Sequence, residues 1–126
     1  MNETELTTRT KKFALRVLKL IDVLPNARSG RVLAGQLGRS GTSIGANYRA
    51  ACRARSTADM ISKLAIVEEE ADESGYWLEL TVEHGLMPGR KVQPLQQEAG
   101  ELTAIMVASR RTLLAGIRKS KIENRK

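Results

Sequence analysis

The residues able to do covalent or redox chemistry are few, and their spacing narrows them further. His84 is the only histidine in 126 residues, so neither a Ser-His-Asp constellation nor a histidine metal site has a second imidazole to draw on. At the expected end of a helix, His84 reads as a partner of the helix dipole. Cys52 is the only cysteine, follows Ala50 and Ala51 and has no histidine close in sequence; this is the setting of an inert buried thiol. No Cys-x-x-Cys-His is present for haem attachment, and no Glu-x-x-His for a di-iron carboxylate centre. Gly35, Gly38, Gly41 and Gly45 precede no Gly-Lys-Ser/Thr, so they read as close helix approach and not as a phosphate loop. Glu68, Glu69 and Glu70 are consecutive, and a helix points such neighbours in different directions. The expectation is a chain with no enzymatic activity, no metal and no cofactor.

What remains is charge. The chain holds 21 basic and 14 acidic residues, a formal +7, and the distribution matters more than the total. Residues 28–58 carry Arg28, Arg31, Arg39, Arg49, Arg53 and Arg55 with no acid, whereas residues 59–83 carry eight acids against Lys63 alone. The last seventeen residues hold Arg110, Arg111, Arg118, Lys119, Lys121, Arg125 and Lys126 against Glu123. Antiparallel packing of the second and third segments would let some of these charges neutralise one another. Arg28, Arg31, Arg49, Arg53, Arg55, Arg110, Arg111, Arg118, Lys119 and Lys121 are the candidate contacts to RNA or DNA, or to a nucleic-acid-bound protein. Only 3% of residues are aromatic, too few for a stacking platform, so phosphate contact would dominate.

The elements that must position these groups are helices. Residues 10–24 place Phe13 or Ala14, Val17, Leu18, Ile21 and Leu24 at helical spacing and stop before Pro25. Leu15 and Leu20 lie off that stripe, which suggests a further apolar contact between subunits. Ser29 is the expected cap of a second helix with Leu33, Leu37, Ser40, Ile44, Asn47 and Ala51 on its seam. Ser56-Thr57-Ala58-Asp59 has a capping pattern, opening a third helix with Ile61, Leu64, Glu68, Ala71, Gly75, Leu78 and Val82 inward and a stop at Gly85 and Pro88. Pro94 opens a fourth, with Leu95, Ala99, Leu102, Met106, Ser109 and Leu113. Short links make an all-α, up-and-down antiparallel four-helix bundle the economical solution. The expected organisation is a flexible segment 1–9, a bundle 10–115 and a basic tail 116–126. An inward Glu68 needs a cation or donors, so a polar cluster of Arg39, Ser40, Ser43 and Asn47 with Glu68 or Glu69 is expected. No apolar run approaches the roughly 18 residues that span a bilayer, no signal peptide is evident, and the cytoplasm is the expected compartment.

The string Gln36-Leu37-Gly38-Arg39-Ser40-Gly41-Thr42-Ser43-Ile44-Gly45-Ala46-Asn47, with Leu64-Ala65-Ile66-Val67-Glu68-Glu69-Glu70-Ala71-Asp72-Glu73 and then Tyr76-Trp77-Leu78-Glu79-Leu80, resembles the bacterial four-helix-bundle family named for proteins encoded in intervening sequences of 23S ribosomal RNA genes. The resemblance covers about residues 10–115. It implies a small homo-oligomeric bundle, with pentameric barrels among the relatives, and no enzymatic activity. It also implies kinship with the accessory variability protein of diversity-generating retroelements, which partners a reverse transcriptase and binds nucleic acid. Where many members have Asn-Ile-Ala-Glu-Gly, this chain reads Asn47-Tyr48-Arg49-Ala50-Ala51, which exchanges an acid for nearby arginine.

Overall fold

The computed structural model describes residues 1–125. Four helices follow one another: α1 (Glu3–Asp22), α2 (Arg28–Cys52), α3 (Thr57–Glu83) and α4 (Gly89–Asn124). Each packs on the next, and α1 also meets α4, so the four form a ring around one core. Phe13, Val17, Leu37, Ile44, Leu64, Val67, Leu78, Val92, Leu102 and Met106 are wholly or almost wholly buried there. Full burial of each such side chain stabilises by about 1.5–3 kcal/mol relative to exposure.

The helix ends differ from expectation in physically simple ways. Segment 1–9 is not a flexible arm: the Asn2 side chain accepts the Glu5 N–H at 2.9 Å and caps α1, and Leu6 is buried. α2 starts at Arg28 and not after Ser29, because the Pro25 carbonyl accepts the Ala27 N–H and turns the chain early. Pro94 lies inside α4, whose first residue is Gly89, and the added turn buries Val92. The segment beyond residue 115 continues α4 as helix to Asn124, with Lys126 outside the described residues. α3 is capped as expected: Ser56 Oγ accepts the Asp59 N–H, and Gly85 closes the other end at φ +79°.

Inward faces are also rotated from the expected seams. On α2 Tyr48 occupies the core where Asn47 was expected, and on α3 Val67, Ser74 and Thr81 replace Glu68, Gly75 and Val82. Each is a shift by one residue; at Tyr48, Val67 and Ser74 it brings the larger or less costly side chain inward, and Thr81 satisfies its hydroxyl on the Trp77 carbonyl at 2.8 Å. On α1 Leu20 is inside and Leu18 outside.

The up-and-down order gathers the start of α1, the end of α2, the start of α3 and the late part of α4 at one pole. Met1, Leu6, Tyr48, Met60, Leu64 and Leu113 line a common pocket there. Midway along α2, α1 and α2 come close because α2 offers glycine: a Cβ on Gly41 would stand 2.9 Å from both Val17 methyls.

Candidate nucleic-acid interface

Antiparallel packing of α1 on α2 leaves an open groove floored by small residues. Ala14, Gly45 and Ala46 set its depth, Thr7 and Thr42 line it, and Lys11 and Arg49 supply the charge, in a volume of about 440 Å³. A second, separate depression lies between α2 and α3, sharing Ala46 and Arg49 and adding Ala50, Arg53 and Lys63. No carboxylate lines either one. Lys63 is balanced by Asp59, with Nζ 2.8 Å from each carboxylate oxygen. Lys11, Arg49 and Arg53 are in no ion pair among the described residues. Cations one or more turns apart on neighbouring helices, over a floor without bulky side chains, suit a polyanion tracked along its backbone.

The ten basic candidates do not share one surface. Arg49 lines the groove, Arg53 lies beside it in the α2/α3 depression, and Arg55 lies in the following link with its backbone N–H 3.3 Å from Asp59 Oδ2. Arg28 and Arg31 stand at the other pole, at the start of α2, where Arg31 Nη1 donates to Asn26 Oδ1 at 3.0 Å. Arg110 is spent inside the bundle: its Nε donates to Glu68 Oε1 at 3.0 Å. Arg111, Arg118, Lys119 and Lys121 are exposed along α4. Lys11 escapes sequence reading because only the pairing of α1 with α2 brings it opposite Arg49.

The expected polar cluster is divided. Glu68 is half-buried against Arg110, not Arg39. Arg39 pairs with Glu70, Nη1 to Oε2 at 3.3 Å, and with Glu73, whose Oε1 also accepts the Trp77 indole N–H at 3.1 Å. Ser40 is buried and meets Ser74 at 2.9 Å. Ser43 donates to the Arg39 carbonyl and Asn47 to the Ser43 carbonyl, so both serve α2 alone. Glu69 is exposed and pairs with no cation among the described residues. The rotation of α3 by one residue explains the exchange of partners.

Cys52 is half-buried, and burial pushes its thiol up from the usual range, the opposite of an activated nucleophile. Burial likewise raises the Tyr48 phenol. Among the described residues no group of three His, Cys, Asp or Glu side chains is placed to hold a metal ion. No described helix is long and apolar enough to cross a membrane.

The family model for the 23S rRNA-intervening sequence protein matches residues 2–108. The chain belongs to that family. A crystal structure of a protein of unknown function from the S23 ribosomal protein family of Bacteroides thetaiotaomicron is 35% identical, with a TM-score of 0.77, over 82% of this chain and 95% of that one. No curated protein matches the sequence. The groove residues lie inside the part shared with the 23S rRNA-intervening sequence family, whereas residues beyond 108 lie outside it.

Proposed function

We propose that the chain is a non-catalytic, self-associating accessory protein that works in the cytoplasm and binds RNA through the α1/α2 groove. The observation that carries this is the groove: Lys11 and Arg49 in a lining without a carboxylate, with Arg53 beside Arg49 in the adjoining α2/α3 depression, whose lining also has none. With no aromatic side chain in that lining, bases have nothing to stack on, so recognition rests on phosphate and falls steeply with salt. Family membership is consistent with a setting among ribosomal RNA genes. The test is retention of a mixed RNA pool against salt for the wild type and for Arg49→Glu/Arg53→Glu. Loss of two phosphate contacts should lower affinity and flatten the log–log salt slope by about 1.4, taking ~0.7 per contact on a single strand. An unchanged affinity and slope would overturn the groove as the site.

A second reading, a protein-interaction scaffold without a nucleic-acid role, has its own observation. Leu15 is 53% and Leu18 41% exposed side by side on the outer surface of α1, an apolar patch suited to assembly. A ring of five, which the resemblance implies, would use such a surface. Light scattering decides it: a mass that drops on Leu15→Lys/Leu18→Lys supports assembly there, and a monomeric wild type excludes it.

A further inference from the structure

The acids of α3 fall into two sets. Asp59, Glu68, Glu70 and Glu73 are neutralised within the chain by Lys63, Arg110 and Arg39. Glu69, Asp72, Glu79 and Glu83 are exposed and in no ion pair among the described residues. Together with Tyr76 they stand at alternating steps of three and four, so the five line one side of α3. Tyr76, at the middle of the stripe, is 52% exposed.

The end of α4 repeats that spacing with the opposite sign. Arg111, Leu114, Arg118, Lys121 and Arg125 follow the same steps of three and four, are all exposed, and join no ion pair among the described residues. Leu114, Arg118 and Lys121 stand about five helical turns after Gln96, Gly100 and Thr103 and so share their side of α4. Those three residues flank a shallow groove whose other wall is Asp72, Tyr76 and Glu79. One outer face of the bundle therefore carries an acidic stripe on α3 and a basic stripe on α4. Because the helices are antiparallel, the two stripes start near each other and run toward opposite poles.

We propose that this face is a self-complementary, two-fold contact with a second copy of the chain. A two-fold axis perpendicular to the helices sets α4 of one copy parallel to α3 of the other. Arg111 then opposes Glu69, Lys121 opposes Glu79 and Arg125 opposes Glu83, and the Arg118 guanidinium lies over the Tyr76 ring. Every contact is made twice, as an isologous interface requires. The occupant is a protein surface and not a nucleic acid, because the acidic stripe on the same face repels phosphate. The basic stripe lies beyond the family match, which ends at residue 108, so the contact belongs to this chain and stands apart from the α1/α2 groove.

The test is a charge exchange read by light scattering at low salt. Lys121→Glu/Arg125→Glu and Glu79→Lys/Glu83→Lys each change only exposed, unpaired groups, and circular dichroism confirms helicity. Each variant alone should show half the wild-type mass, because like charges then face each other. Mixed in equal amounts, the two variants should recover the wild-type mass, and high salt should dissociate the wild type. Variants that keep the wild-type mass overturn the proposal, as does a mixture that fails to associate. Loss of RNA retention in Lys121→Glu/Arg125→Glu with its mass unchanged also overturns it and assigns the stripe to nucleic acid. Arg49→Glu/Arg53→Glu should leave the mass untouched, so failure of the groove reading shows separately.

Discussion

The Arg9 guanidinium of α1 holds the Glu98 carboxylate of α4 in a two-pronged contact, Nε to Oε2 at 2.7 Å and Nη2 to Oε1 at 2.6 Å. Glu101 adds a third oxygen at 3.0 Å. The pair sits where the ring of helices is thinnest, because α1 packs mainly on α2 and only lightly on α4. A charge-assisted fork of this kind fixes orientation as well as distance. Arg9→Ala leaves Glu98 half-buried without its cation and should cost about 2 kcal/mol in urea unfolding. Arg9→Lys, which cannot make the fork, should recover less than half of that. Hydrogen exchange should show the loss concentrated in α1. A global stability loss with α1 protection unchanged would remove Arg9 as the latch.

Two glycines of α2 should respond to alanine with opposite signs. At Gly35 no atom lies within 4 Å of a new Cβ, so Gly35→Ala gains helix propensity alone and should stabilise by about 0.5–1 kcal/mol. At Gly41 the same methyl would meet both Val17 methyls at 2.9 Å. Overpacking there should outweigh the propensity gain and destabilise by about 1–3 kcal/mol. Val17→Ala should relieve part of that penalty in the double variant. Denaturation midpoints that rise for both alanines would show that α1 yields easily at Gly41.

How much of this was legible in the sequence differs between fold and site. Helix number, order and the stops at Pro25 and Gly85 could be read because periodicity and capping are local. The inward faces of α2 and α3 were misplaced by one residue at Asn47 and Glu68, since a seam written in steps of three and four fits two adjacent stripes equally well until partners are known. The pairing of Glu68 with Arg110 spans 42 positions, and nothing near either residue announces it. Lys11 was invisible for the same reason: a lone lysine on a polar face gains meaning only when α2 brings Arg49 across the groove. The helical ends at Glu3 and Asn124 were missed because charged residues there satisfy a helix as well as a tail.

Ser40 and Ser74 form a buried polar contact between α2 and α3, with Oγ atoms 2.9 Å apart. Ser74 also reaches the Glu70 carbonyl at 2.8 Å, and Ser40 the Leu37 carbonyl at 3.4 Å. Each hydroxyl thus has an outlet within its own helix and one across to the other. Removing one leaves the other partly unsatisfied in a dry setting, so Ser40→Ala or Ser74→Ala should each cost about 1 kcal/mol. Removing both leaves nothing to satisfy, and the double variant should be no worse than the poorer single one. Additive losses in a double-mutant cycle would mean that the two hydroxyls act independently.

At the start of α3, the Asp59 carboxylate gathers donors from two directions. The Lys63 ammonium holds its carboxyl below the usual carboxylate range, helped by the backbone N–H of Arg55. The Asp59 N–H is itself bonded to Ser56 Oγ at 3.1 Å, so the group closes the first turn at the positive end of the helix. A carboxyl that titrates lower in the folded chain than in the unfolded one adds stability that is complete above the ordinary carboxylate range. That contribution disappears as the pH falls through the depressed folded value. Asp59→Asn should therefore be less stable than the wild type by a constant amount from neutral pH down to the ordinary carboxylate range. Below it the two unfolding curves should converge. Added salt should narrow the gap at neutral pH, because the Lys63 pair faces solvent. A gap that persists unchanged at acid pH, once the carboxyl is protonated in both the folded and the unfolded chain, would trace the effect to the lost cap geometry and not to the carboxylate charge.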